Sequence, residues 1–203
     1  MIVTVSNQYG AGAIEIAHRA AAQLGYRIID RELPVVVAKR LGTSPDAVSA
    51  SEDTSRNLGE RLISGLELGT PEIALTSREQ ASFVRDCFRE VQLAVREFAA
   101  RGKVFIIGRA AHVILGRRDD VLRIFMHAPR EWRIGRIVDA MQVNEQEATA
   151  EVDRVDRARR AYVHDHYQIE WADPKNYDLC IDTARCGPDG SAAVIISAVQ
   201  ACA

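Results

Sequence analysis

Two hydrophobic rhythms alternate along the chain. Short runs of consecutive β-branched and apolar residues predict buried strands at 2–6, 27–29, 103–107, 121–127 and 178–182. Between them, apolar residues recur three and four positions apart, which predicts helices. The first covers 13–24, with Ile14, Ile16, Ala17, Ala20, Ala21 and Leu24 apolar and Gly25 as its C-terminal cap. The others are expected near 32–41 (closing at Gly42), 77–100, 110–115, 129–140, 145–164 and 191–201. Helix 77–100 carries Phe83, Cys87, Val91, Ala94 and Phe98 on one stripe, and Pro129 suits the first residue of its helix. Residues 43–76 interrupt the pattern. They hold an amphipathic piece near Arg56–Leu66 and then Gly69-Thr70-Pro71, and they predict helical excursions that act as a lid or substrate arm.

Strands alternating with helices predict an α/β fold, a doubly wound parallel sheet with helices on both faces. In such sheets ligands sit beyond the carboxyl ends of the strands. Asn7–Gly12, Asp30-Arg31, Gly108-Arg109 and Ala128 are expected to share that rim. At 203 residues the chain fits one domain, with no internal repeat.

Composition narrows the function. A hydrophobic fraction of 47% excludes a disordered chain. A net charge of −2 excludes a global basic field for nucleic acid or an anionic membrane. No apolar run approaches a membrane-spanning length, and the N-terminus enters a strand without a basic, apolar leader, so a cytoplasmic protein is expected. Cys87, Cys180, Cys186 and Cys202 show no metal or redox spacing and read as reduced thiols; no metal-ligating residues are expected. Among the 26 basic residues only Lys39, Lys103 and Lys175 are lysines. Coding bias explains an excess of arginine but not where the arginines cluster, and their planar fork suits phosphate.

Three constellations carry chemistry. The loop Asn7-Gln8-Tyr9-Gly10-Ala11-Gly12, between strand and helix, is a ready anion site through its free N–H groups and the helix dipole. Against the phosphate-loop pattern, Asn7 stands at the first glycine, Gly12 at the second, Ala13 at the lysine and Ile14 at the hydroxyl position. The backbone cradle is preserved and both side-chain functions are missing; a purely structural turn remains the other reading. The segment Asp153–Arg160 holds Arg154, Arg157, Arg159 and Arg160. It is either a solvated helix laced with ion pairs or a surface that closes over phosphates. Arg109, directly after a buried strand, is either a ligand contact or a paired structural charge, and Asp30-Arg31-Glu32 is similar. The histidines, His18, His112, His127, His164 and His166, have no partner spacing and are expected to be packed or exposed.

The ordered segments SNQYGAGAIEIA, LGYRIIDRE, VFIIGRAAHVIL, VLRIFMHAPREWRIGRI and DRVDRARRAYVHDHY followed by NYDLCIDT resemble, over nearly the whole chain, the cytidylate kinase-like family. The resemblance implies a three-layer α/β/α P-loop kinase fold with a five-stranded parallel sheet. It also implies a monophosphate-binding arm at about 33–76 and a lid at about 142–170. The activity implied is transfer of the γ-phosphoryl of ATP, with Mg²⁺, to CMP or a similar nucleoside monophosphate. By position, Asn7, Gln8, Tyr9, Gly10, Ala11, Gly12, Ala13 and Ile14 would bind the nucleotide. Arg157, Arg159 and Arg109 would stabilise the phosphoryl in flight, and Asp30, Arg31 and Arg109 would line the monophosphate site. The family's Gly-Arg-Asp is Gly108-Arg109-Ala110 here, and the basic residue after the loop is Ile14, so slow transfer is expected. A small-molecule partner is implied, without nucleic acid or membrane, and a homodimer is compatible. The alternative is a nucleotide- or phosphate-binding protein of the same fold, regulatory or scaffolding, without kinase activity.

Overall fold

The computed structural model describes residues 1–51 and 71–202, with backbone alone over 71–78. The expected amphipathic piece near Arg56–Leu66, and with it most of the middle of the proposed arm, lies outside the described residues. Two compact units are present, Met1–Asp30 with Val95–Ala203, and Arg31–Ala94.

The first unit is a five-stranded sheet in the order β2-β3-β1-β4-β5. Its strands are β1 (Ile2–Asn7), β2 (Arg27–Ile29), β3 (Val104–Ile107), β4 (Val121–His127) and β5 (Leu179–Asp182). Every pairing is parallel, with Ile2 opposite both Val104 and Val121 and Ile124 opposite Leu179. The expected strands are therefore present to within a residue. All strands enter at one edge of the sheet and leave at the other, which brings the ends of β1 to β5 onto one rim.

Helices cover both faces because the side chains of a strand alternate. Val3, Val5, Phe105, Ile124 and Met126 pack with Ile16, Ala17, Ala20 and Ala21 of α1 (Ala13–Leu24). Ala192, Ile195 and Val199 of the last helix join that cluster. Phe125, between two members of it, points to the opposite face and packs with Ala110, Val163, Trp171 and Tyr177. The small alanines of α1 let it lie close to the sheet. The last helix was expected from about residue 191; instead Thr183–Cys202 is helical with a break at Gly187 and Pro188 inside. Thr183 is buried and its hydroxyl bonds to the His127 carbonyl, so tertiary packing extends the helix beyond its periodic part.

The second unit holds α2 (Glu32–Leu41), a helical stretch over 45–51 and most of α3 (Pro71–Ala100). The helix expected from Ser77 starts at Pro71, where a proline costs no intrahelical bond. The buried residues of the second unit include Leu33, Val37, Val48, Cys87 and Val91. The remaining helices belong to the first unit: α4 (Ala111–Leu115), α5 (Arg130–Met141), α6 (Glu145–Tyr167) and α7 (Thr183–Cys202). Pro129, expected as the first residue of α5, stands one position earlier as its cap. A capping box starts α6: Glu147 N donates to Asn144 Oδ1, and Asn144 N donates to Glu147 Oε2.

Candidate active site

The site begins where β1 ends. Gln8 N donates to the Met126 carbonyl, continuing the β1–β4 ladder, and the Gln8 side-chain oxygen accepts from Ala128 N at 3.2 Å. Gly10 and Gly12 have φ of +83° and +77°, a conformation that costs a residue with a Cβ about 1–2 kcal/mol. A Cβ at Gly10 would stand 2.9 Å from the Arg133 carbonyl oxygen, so backbone alone fits there. Gly12 caps α1 and offers no side-chain acceptor. The N–H groups of the first turn, on Ala13, Ile14 and Glu15, therefore have no intrahelical carbonyl to meet. Not all of the loop is open to a ligand: Ala11 N donates to the Gln8 carbonyl at 3.2 Å.

The loop is held from outside by α5 and α6. Arg133 on α5 is 5% exposed. Its Nε donates to the Ala128 carbonyl at 3.1 Å, and its Nη1 donates both to the Tyr9 carbonyl at 2.9 Å and to Asp156 Oδ2 at 2.7 Å. The other oxygen of Asp156 accepts from Tyr9 N at 2.8 Å. Arg159, one turn along α6, donates from Nη1 to the Asn7 carbonyl at 2.6 Å and lies over the Tyr9 ring. Two apolar clusters anchor α6. Ala148 and Val152 pack with Ile134 and Ile137 of α5, and Val163 packs with Phe125, Trp171 and Tyr177. The arginine-rich segment is thus a packed helix whose inward face grips the loop.

Arg109 stands in a turn of three left-handed residues, Gly108, Arg109 and Ala110, with φ of +71°, +56° and +51°. Two of them carry a Cβ, so the turn holds strain that the surrounding structure must offset. Burial pushes the Arg109 guanidinium below its ordinary value; Tyr162 and Asp30 oppose that, and Arg159 adds to it. Arg159 is likewise pushed down by burial, with Asp156, Tyr9 and Asp30 opposing. Asp30, Arg109 and Arg159 thus act on one another electrostatically, and Arg159 is bonded to the Asn7 carbonyl where the loop begins. Two desolvated guanidinium groups that repel each other, with Asp30 acting on both and Asp156 already paired with Arg133, form a positive centre suited to an anion.

The other expected residues differ in their exposure. Arg157 is exposed on α6 and acts electrostatically on Asp153. Arg31 is exposed and opens the second unit. Ile14 is 50% exposed in the first turn of α1, and Ala13 is buried. Among the histidines, His112 is buried in a directed chain. The Tyr177 hydroxyl donates to the Trp171 carbonyl at 2.6 Å, so it accepts from His112 Nε2; His112 Nδ1 then accepts from the Ser6 hydroxyl at 3.1 Å. Burial and nearby Arg123 push this imidazole down to about 4.

Arg133, Asp156 and Tyr162 escaped the reading of the sequence. Arg130, Arg133 and Arg136 recur at intervals of three, directly after the strand that ends at the rim, and that spacing was the available signal. Among the described residues no three His, Cys, Asp or Glu side chains form a group fit to hold a metal ion. None of the described helices is long and apolar enough to cross a membrane.

A parallel sheet of this order, with a glycine loop leading from its central strand into a helix, defines a P-loop kinase fold. An uncharacterized protein from Eubacterium ventriosum has the same fold, at a TM-score of 0.71 and 17% identity over 98% of both chains. The shikimate kinase of Bacteroides thetaiotaomicron shares it more distantly, at a TM-score of 0.51 and 12% identity, again over 98% of both chains. Within that class the chain belongs to the cytidylate kinase-like family, whose profile matches residues 2–185. It is 26% identical over 202 residues to the cytidylate kinase of Natronomonas pharaonis, covering 99% of this chain and 90% of that protein.

Proposed function

We propose that this chain transfers the γ-phosphoryl of ATP to a nucleoside monophosphate, CMP or a close relative. The observation that carries the reading is Arg159, bonded to the Asn7 carbonyl at the root of the glycine loop, acting electrostatically with Arg109 and Asp30. The loop N–H groups and the α1 dipole receive the triphosphate, and Arg109 and Arg159 draw in the acceptor's phosphate. An acceptor phosphate oxygen attacks the γ-phosphorus. The bond from that phosphorus to the β–γ bridging oxygen breaks, and the electron pair leaves on ADP. The nucleophile is already an oxyanion, so no general base is required, and catalysis is positioning and charge stabilisation. Mg²⁺ enters with ATP as part of the substrate, since Mg²⁺ is ordinarily held by substrate phosphates with few protein ligands. Loop position 14 offers isoleucine in place of a hydroxyl.

One feature favours a second reading. Ala13 and Ile14 contribute neither cation nor hydroxyl to the phosphates, which suits a protein that binds nucleotide without transferring phosphate. Phosphorus NMR of the protein with MgATP and CMP, UMP, AMP or shikimate separates the two. ADP and a nucleoside diphosphate appearing together support the kinase. MgATP binding with no product in any mixture supports the binding protein.

A further inference from the structure

The loop lacks its cation, yet a guanidinium lies beside it. Arg136, on α5, one turn beyond Arg133, borders Gly12, the residue immediately before α1. A Cβ built on Gly12 would stand 3.4 Å from Arg136 Nη2, 3.5 Å from Cζ and 3.8 Å from Nη1. The planar end of the side chain therefore faces the loop's last glycine, in van der Waals range of the space that a Cβ there would fill. The guanidinium also lies over the Trp132 ring, 5.0 Å from its centroid, which orients it without occupying all its donors.

We propose that Arg136 supplies the positive charge to the bound triphosphate that Ala13 and Ile14 do not. The proposal rests on the kinase reading and names the residue that makes it workable. The other arginines around the loop meet it at its root or face the acceptor. Arg133 is buried with three acceptors, and Arg159 binds the Asn7 carbonyl at the root of the loop. Arg136 is 37% exposed, and its anionic partner Glu15 is 3.4 Å away. Glu15 is held more closely by Arg19, at 2.8 Å. A phosphate arriving at Gly12 can take the place of Glu15 against Arg136 while Arg19 keeps Glu15 neutralised. In transfer, the bond from the γ-phosphorus to its bridging oxygen breaks and the electron pair goes to the ADP leaving group, as an acceptor oxyanion forms the new bond. Negative charge grows on the leaving β-phosphate, and a guanidinium beside the loop stabilises it.

The test uses the full chain as parent, Arg136→Ala, Arg136→Lys, and Arg136→Ala combined with Ile14→Arg. Arg136 is partly exposed, so these variants should fold, which melting curves check. Calorimetry measures MgATP and CMP affinity separately, and a coupled assay measures turnover with CMP. Arg136→Ala should lower turnover by ~10²–10³. It should weaken MgATP by about tenfold or more while CMP affinity stays within about twofold, since one lost charge-assisted contact acts on one ligand only. Arg136→Lys, which keeps the charge, should lose less of both than Arg136→Ala does. Ile14→Arg, on a half-exposed first-turn position, should recover most of the MgATP affinity in the Arg136→Ala background. A merely structural Arg136 would give no such rescue. Unchanged MgATP affinity and turnover in Arg136→Ala overturns the assignment while leaving the kinase reading intact. A parent that binds no MgATP overturns both. A parent that binds MgATP without turnover overturns the kinase reading alone, and the affinity and rescue measurements then decide Arg136.

Discussion

The two ends of the glycine loop are built differently. The root, Ser6 to Tyr9, is fastened from several directions: Ser6 to buried His112, Gln8 to Ala128, Asn7 to Arg159, and both backbone groups of Tyr9 to Arg133 and Asp156. The helix end, Gly12 to Glu15, meets a half-exposed guanidinium and a chain of surface ion pairs, Arg136 to Glu15 to Arg19, with Arg19 also bound to Asp189. Buried hydrogen bonds to charged groups hold geometry, whereas solvent-exposed pairs contribute little and rearrange easily. The root keeps the cradle in shape before any ligand arrives, and the helix end is free to adjust to one.

Breaking the root should have the largest effect. Arg133→Met leaves Asp156 without its ion pair at a poorly exposed position and should cost ~3–5 kcal/mol in urea unfolding, with loss of nucleotide binding. If Asp156→Leu in the same chain recovers part of that loss, the penalty was the orphaned charge. A variant as stable as the parent would show that the root is not locked by this pair.

The next effect follows from pH. His112 is held near 4 against an ordinary 6.5, so the folded state keeps it neutral. The unfolded chain then binds the extra proton as pH falls below 6.5, and the folded chain does so only near 4. Stability is therefore fully present above 6.5 and falls by about 3 kcal/mol as pH drops from 6.5 to about 4. Unfolding measured from pH 7 to 4 should show this slope in the parent and a slope smaller by about one proton in His112→Gln. Equal slopes would remove His112 from the account.

Two glycines sharpen the contrast. Gly12→Ala meets the movable end of Arg136 and should cost only the left-handed backbone penalty, about 1–2 kcal/mol. Gly10→Ala meets the Arg133 backbone at 2.9 Å and should cost ~1–3 kcal/mol more. Equal melting temperatures would contradict a rigid root and a yielding helix end. The smallest effect belongs to Arg157→Ala, which is exposed and should change stability by less than ~0.5 kcal/mol. Arg159→Ala, which frees the Asn7 carbonyl, should cost about 1–3 kcal/mol. Equal stability of the two variants would show that Arg159 does not grip the loop.

Most of the fold was legible because each strand is a continuous apolar run and each helix a 3.6-residue stripe, and these are local properties of the chain. Pro71 and the kink after Thr183 fell outside that reading, since neither lies in a periodic stretch. The glycine loop, Arg109 and the arginine-rich helix could be picked out from residue type and position alone. Which arginine faces the loop could not. Arg154, Arg157, Arg159 and Arg160 sit within two helical turns, and only the anchoring of α6 by Val152 and Val163 turns Arg159 inward and leaves Arg157 in solvent. Arg133 and Arg136 are alike in sequence, three apart on one helix. One is buried with three acceptors and the other borders Gly12, because α5 packs across the loop at that turn. Residue order along the chain determined the sheet, the helices and the kinds of charge available. The burial and partners of each charge were decided by packing between elements far apart in sequence, where a rotation of one helical position exchanges a buried side chain for a solvated one.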